Sequence, residues 1–160
     1  MDDTFSRDLY LDDLKVGDRY RTGEYVVDEE SILAFGRQFD PQIFHLDAAA
    51  ASDTFFGGLA ASGWHTAAIT MNLLVTSGLP FGNGVIGAGA EVSWPTATRP
   101  GDVLHVEAAV TDIRRSRSKP DRGIVTVVSR TLTAGGQERQ NLVARLVVFR
   151  RGGPVDSTRP

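Results

Sequence analysis

The chain has 160 residues, 41% of them apolar and 23% charged, which suits one soluble domain with a real core and is too short for two comfortable ones. A formal net charge of -3 excludes a whole-domain positive field for nucleic acid or an anionic membrane surface. The absence of cysteine excludes disulfides, thiolate catalysis and a cysteine zinc site, and the histidines at 45, 65 and 105 lack metal-ligand spacing, so no metal is expected.

Residues 1–15 read as a polar lead-in. Met1 to Phe5 lacks the basic-then-apolar order of a signal peptide, and the longest apolar-rich stretch, Ala67 to Val75, is far short of the roughly 20 residues a bilayer span needs. The expected location is the cytoplasm. After the turn at Gly17-Asp18 the residues Arg19 to Val27 predict a strand. Asp28 then predicts a helix N-cap, with Glu29 and Glu30 suiting the first turn and Ile32, Phe35 and Phe39 at helical spacing. Pro41 stops this helix by pushing the residue before it out of the helical region.

Asp47 is placed to cap a short alanine-rich helix through Ala51, and Phe55-Phe56-Gly57-Gly58 reads as an apolar loop. Ser62 is a candidate cap for the next helix. From Gly63 to about Thr76 that helix is apolar nearly all round, which predicts complete burial.

The second half reads as antiparallel sheet, with strands predicted over Val85 to Trp94, Val103 to Ile113, Ile124 to Leu132 and Leu142 to Arg150. In the second of these Leu104, Val106, Ala108 and Val110 alternate with outward-facing His105, Glu107 and Thr111. The last strand is apolar on both faces, so it should lie centrally or be covered by a partner subunit. Residues from Gly152 onward read as a frayed tail. The whole is expected to be one α+β domain over 1–160, its core from about 17 to 150, with a buried helix lying on a curved antiparallel sheet.

The chemistry concentrates in Phe39 to Asp47 and in Ala61-Ser62-Gly63. Asp40 and His45 share one short irregular connection between helices, close enough to fold both side chains onto one site. A histidine beside a carboxylate can take or give a proton, and the carboxylate can hold the imidazole's tautomer. The spacing also fits a plain helix end and a satisfied loop histidine. Ser62-Gly63 opens the apolar helix, where free N–H groups and the positive end of the helix dipole stabilise negative charge. A carbonyl bound against the Gly63 N–H would be polarised as an enolate forms; tight packing against the sheet equally calls for glycine there.

Two apparent motifs carry little. Gly82-Asn83-Gly84-Val85-Ile86-Gly87 matches a dinucleotide pattern but precedes a strand, so it reads as a turn, and Ser62 with His65 lacks the surroundings of a nucleophile elbow. The basic cluster Arg114, Arg115, Arg117, Lys119 and Arg122 reads as a solvated hairpin tip, or else as a contact for substrate phosphates. Trp94-Pro95 reads as a packing feature at a strand end.

From about Gly17 to Phe149 the chain resembles the MaoC-like dehydratases, which include the (R)-specific enoyl-CoA hydratases and have the hot-dog fold. Asp40 with four residues to His45, Leu46-Asp47, the run Phe56 to Gly63 into the apolar helix, and Trp94-Pro95 through Arg99-Pro100-Gly101-Asp102 carry the resemblance. It implies a catalytic dyad of Asp40 and His45, with Gly63 offering its N–H to the thioester oxygen and Gln42, Phe44, Ser62 and Trp64 around the substrate. The usual Asn-Pro is here Gln42-Ile43, and the histidine often found before the glycine is here Ser62; Gln42 is the candidate substitute for the asparagine. The implied reaction is reversible hydration of a trans-2-enoyl-CoA to an (R)-3-hydroxyacyl-CoA, with no cofactor, by at least a homodimer. An acyl-CoA thioesterase of the same fold and a non-catalytic acyl-binding module are the competing readings.

Overall fold

A computed structural model describes residues 8–153 of the chain, so residues 1–7 of the expected lead-in and 154–160 of the expected tail lie outside the described residues. The elements follow in the order β1 (Arg19–Arg21), β2 (Tyr25–Val26), α1 (Glu29–Phe39), α2 (Ile43–Leu46), α3 (Ala48–Ala51), α4 (Gly63–Leu73), β3 (Ile86–Ser93), β4 (Val103–Arg115), β5 (Arg122–Thr133) and β6 (Glu138–Phe149). The strands form one antiparallel six-stranded sheet in the order β1-β4-β5-β6-β3, with β2 also pairing β4. α4 lies on one face of it.

The alternation predicted for β4 is what builds the core. Leu104, Val106, Ala108 and Val110 point toward α4 and meet Val125, Val127, Leu146 and Val148 from β5 and β6, and Ile69, Leu73 and Leu74 from the helix side. Burying a single side chain of this size contributes roughly 1.5–3 kcal/mol, so this shared face is the main source of stability. The apolar β6 does lie inside the sheet, between β5 and β3.

Several expectations need correction. The strand predicted over Arg19 to Val27 is two short strands, because Thr22 turns its hydroxyl to the Gly23 carbonyl and accepts the Val106 N–H on the same oxygen, while the Gly23 N–H goes to Ser77 Oγ. The described part of the lead-in is not merely polar: Tyr10, Leu11 and Leu14 are buried. α4 is apolar all round, yet only the face bearing His65, Thr66, Ile69, Thr70 and Leu73 is buried within this chain. Trp64, Met71 and Val75 stay exposed on the other face. Its last turn widens into a π-helical turn over Leu74–Gly78. His105 shares its strand face with Glu107 but is only 6% exposed, lying opposite Leu132 and with Nε2 3.6 Å from Glu107 Oε1.

The strand β6 begins at Glu138, earlier than its apolar residues suggest, because the polar Gln140 is itself fully buried and bonded. The basic cluster does form a hairpin tip, between β4 and β5. There Arg114 pairs with Asp112, Arg122 with Asp121 and Arg115 with Asp12.

Candidate active site

The site is assembled where α1 hands over to α2. Asp28 caps α1 by accepting the Ser31 N–H at 2.7 Å, as its sequence position predicts. The helix ends at Asp40, whose φ of -148° and ψ of 70° are non-helical ahead of Pro41, while its N–H still reaches the Gly36 carbonyl. Asp40 thus projects from a helix end that proline fixes. Gly36 is needed one turn earlier, since a Cβ there would lie 2.7 Å from the His45 carbonyl oxygen.

His45 is not in an irregular loop. It belongs to the single turn α2, which starts from Gln42, and the following Asp47 caps α3 by accepting the N–H groups of Ala49 and Ala50. The periodicity of four residues is too short to announce a helix, and the turn is held by tertiary contacts. Phe44 stands edge-on to His45 with centroids 4.6 Å apart and packs on Phe56 at 4.9 Å.

The His45 ring is 4% exposed and is fixed at both nitrogens. Nδ1 lies 2.6 Å from the Ala60 carbonyl oxygen, and a carbonyl only accepts, so Nδ1 carries the hydrogen. Nε2 therefore presents a lone pair in the neutral ring, and it faces Asp40 Oδ2 at 3.2 Å. A direct bond across that gap requires one shared proton. Without it, the two lone pairs suit a water molecule that donates to both.

Asp40 is held from two other sides. Gln42 Nε2 donates to Oδ1 and Ser62 Oγ donates to Oδ2, each at 2.7 Å. Burial works to raise its pKa, but the bonds from Gln42 and Ser62 and the nearby His45 outweigh it and hold the carboxyl below its ordinary value. Asp40 is therefore a carboxylate at neutral pH. Ser62 also caps α4, its oxygen accepting the Trp64 N–H at 3.3 Å. The dyad is thereby tied to the start of that helix.

Gly63 follows at the first helical position, where N–H groups lack intrahelical partners and the helix dipole is positive. A Cβ on Gly63 would lie 2.7 Å from the ring of Trp94, so only glycine fits beneath the indole. A cavity of about 660 Å³ opens here, with Gln42, Phe44, His45, Gly63, Thr66 and Trp94 in its wall. Ser62 and Asp40 are not part of this wall, and Asp40 adjoins it through His45. Trp64 does not line the cavity; it is 62% exposed and meets Trp94 edge-on at 5.1 Å.

Sequence reasoning did not find Arg99, which donates to the carbonyls of Phe56, Gly58 and Leu59 and so anchors the segment that delivers the Ala60 carbonyl to His45. With its guanidinium on those carbonyls, Arg99 serves the loop. It also did not find Trp94, Thr66 and Thr98 as cavity residues. Among the described residues, no three His, Asp or Glu side chains converge as a metal ion would need.

The pattern of the MaoC like domain matches residues 13–132. The chain belongs to the MaoC-like family. It is similar to the crystal structure of the MaoC-like dehydratase from Rhodospirillum rubrum, with 59% identity and a TM-score of 0.89 over 91% of this chain and 99% of that one. The Bacillus subtilis (strain 168) protein YdeM is 34% identical over 126 residues, 77% of this chain and 86% of its own length. The (R)-hydratase from A. caviae involved in PHA biosynthesis shares 28% identity and a TM-score of 0.67, over 86% of this chain and 97% of that one. The α+β fold is thus the hot-dog fold that the sequence resemblance implies, and the MaoC-like assignment suggests a hydratase or dehydratase. No helix among the described residues is long and apolar enough to cross a membrane.

Proposed function

We propose that the protein catalyses the reversible hydration of trans-2-enoyl-CoA to (R)-3-hydroxyacyl-CoA. The observation that carries this reading is the Asp40–His45 pair, with one imidazole nitrogen tied to a carbonyl and the other facing the carboxylate at 3.2 Å, beside the N–H end of α4. The thioester oxygen accepts a hydrogen bond from the Gly63 N–H. A water that donates to both Asp40 Oδ2 and His45 Nε2 supplies the hydroxyl group.

As the water oxygen adds to C3, His45 Nε2 takes its proton and the Asp40 carboxylate stabilises the imidazolium. The electron pair of the C2–C3 double bond moves toward the carbonyl, and the enolate oxygen is stabilised by the Gly63 N–H and the helix dipole. The proton on Nε2 then passes to C2. H and OH have been added and the dyad is back in its first state. No cofactor takes part.

The thioesterase reading uses the same carboxylate and helix end, and a binding module needs neither. Crotonyl-CoA and a saturated acyl-CoA together discriminate the three: loss of the enoyl absorbance of the first is the expected result, free-thiol release from the second would show hydrolysis, and binding without turnover would show a module.

The reading includes a homodimer formed by a single domain working on an acyl-CoA thioester in the cytoplasm, away from nucleic acid and membrane. The exposed apolar residues Trp64, Met71 and Val75 of α4 and the open edge strand β3, with its exposed Ile86, support a second copy. Sedimentation at micromolar concentration should give twice the mass of the chain, and a monomer would remove this part of the reading.

A further inference from the structure

Between α4 and the sheet, behind the cavity wall, a chain of hydrogen bonds runs through side chains that are wholly buried: Gln140, Thr70 and Thr131 are each at 0% exposure. Thr70 Oγ1 donates to the Thr66 carbonyl at 2.9 Å, which uses its only hydrogen. Its two lone pairs then accept from Thr131 Oγ1 at 2.7 Å and from Gln140 Nε2 at 3.1 Å. Gln140 must turn its Oε1 the other way, and there it accepts the Trp94 Nε1–H at 2.8 Å. An indole nitrogen only donates, so the direction of every bond in this row is determined.

Such a row is expensive to bury and brings no packing that leucine or valine would not bring. Besides tying α4 to β5 and β6, it aims Trp94. The aimed indole lies against Gly63 so closely that its ring atoms are 2.7–3.0 Å from the Cβ position there. It shares the cavity wall with Thr66, Thr96 and Thr98, and Thr66 Oγ1 and Thr98 Oγ1 are bonded to one another at 2.8 Å. An acyl group whose carbonyl rests on the Gly63 N–H, as the proposed reaction places it, would lie beside this indole.

We propose that Trp94 is a specificity-determining residue that limits the size of the acyl group, and that Gln140 is the positioning residue that holds it in place. The inference rests on the enoyl-CoA reading for its ligand. It adds that short acyl groups are preferred and that the limit is set from behind the wall, by a glutamine that does not reach the substrate.

The test compares wild type with Trp94→Phe, Trp94→Leu and Gln140→Leu on trans-2-enoyl-CoA thioesters of four and eight carbons, together with calorimetric titration of butyryl-CoA and octanoyl-CoA. Each variant should move the ratio of kcat/KM, eight carbons over four, upward by about tenfold or more, on the scale at which a pocket discriminates methylenes. Calorimetry should show the same change of ranking. Turnover with an unchanged ranking in all three variants overturns the proposal and leaves the hydratase reading standing; a changed ranking in binding without turnover does the reverse. In the wild-type protein the Trp94 indole N–H resonance should shift on saturation with butyryl-CoA, and an unmoved resonance overturns the proposal even where a variant fails to fold.

Discussion

Asp40 Oδ2 and His45 Nε2 stand 3.2 Å apart, and the opposite ring nitrogen of His45 is committed to the Ala60 carbonyl. In the proposed reaction the pair acts as one acid–base unit. Replacing Asp40 by Asn or His45 by Ala should each lower kcat by about 10²-fold or more, with little change in KM. The double variant should be hardly worse than either single one, because groups that act as a unit are not additive. Full activity in either single variant would remove the dyad from the mechanism.

Gly63→Ala places a methyl group 2.7 Å from the Trp94 ring. The expected cost is about 1–3 kcal/mol of stability from overpacking, with a loss of activity as the helix start is displaced. Trp94→Ala makes room for the methyl at its own cost in stability, so Gly63→Ala should cost less in the Trp94→Ala background than in the wild-type one. An equal cost of Gly63→Ala in both backgrounds would show that the contact is not the cause.

The hydrogen bond from Gln42 helps hold the Asp40 carboxyl below its ordinary pKa against the opposing effect of burial. Gln42→Ala removes that bond, so the carboxyl protonates at higher pH. The carboxyl carbon resonance of Asp40 should therefore titrate at higher pH in the variant than in wild type. The same carboxylate adds stability above its unfolded value of 3.8, and that stability is lost as pH falls through the lower folded-state value. An Asp40 resonance that titrates at the same pH in Gln42→Ala and in wild type would show that this bond does not hold the carboxyl down.

His65 is buried, stacks on Phe35 with ring centroids 4.8 Å apart, and titrates below the usual 6.5 because burial disfavours its charge, with Asp28 pulling weakly the other way. The unfolded chain binds a proton there that the folded chain refuses. Stability should decline as pH drops below 6.5 and level off under the folded-state value. His65→Phe keeps the stack and should flatten this part of a melting-temperature profile between about pH 7.5 and about pH 5.5.

Arg99 holds the carbonyls of Phe56, Gly58 and Leu59 with one guanidinium. Arg99→Lys keeps the charge but not the fork of donors, so it should fail to restore what Arg99→Met loses, about 1–3 kcal/mol. Faster proteolysis around residues 54–59 in both variants is the expected sign of a loosened segment. Wild-type cleavage rates in Arg99→Met would show that the clamp is dispensable.

Local chemistry was legible wherever a residue acts on its own neighbours. Asp28, Asp47 and Ser62 cap the helices that their positions predict, Pro41 ends α1, and the alternation in β4 faces the core. Asp40, His45 and Gly63 could be picked out because a proline and two helix ends bracket them. What could not be read depends on partners far along the chain. Gln140 looks like a loop residue until Thr70 and Trp94 surround it, Arg99 looks like a turn cation until three carbonyls meet it, and α2 is too short for any period. The exposed half of α4 misled for the same reason: an all-apolar helix reads as buried, whatever does the burying.

The group that selects the imidazole tautomer is a main-chain carbonyl at Ala60, and its own N–H is bound to the Phe44 carbonyl at 3.0 Å. No side-chain substitution at position 60 deletes that carbonyl. The choice of which His45 nitrogen acts is therefore set by the backbone path that Arg99 anchors and not by the side chain at position 60. It survives substitution at position 60, and it can be engineered only by rerouting the chain.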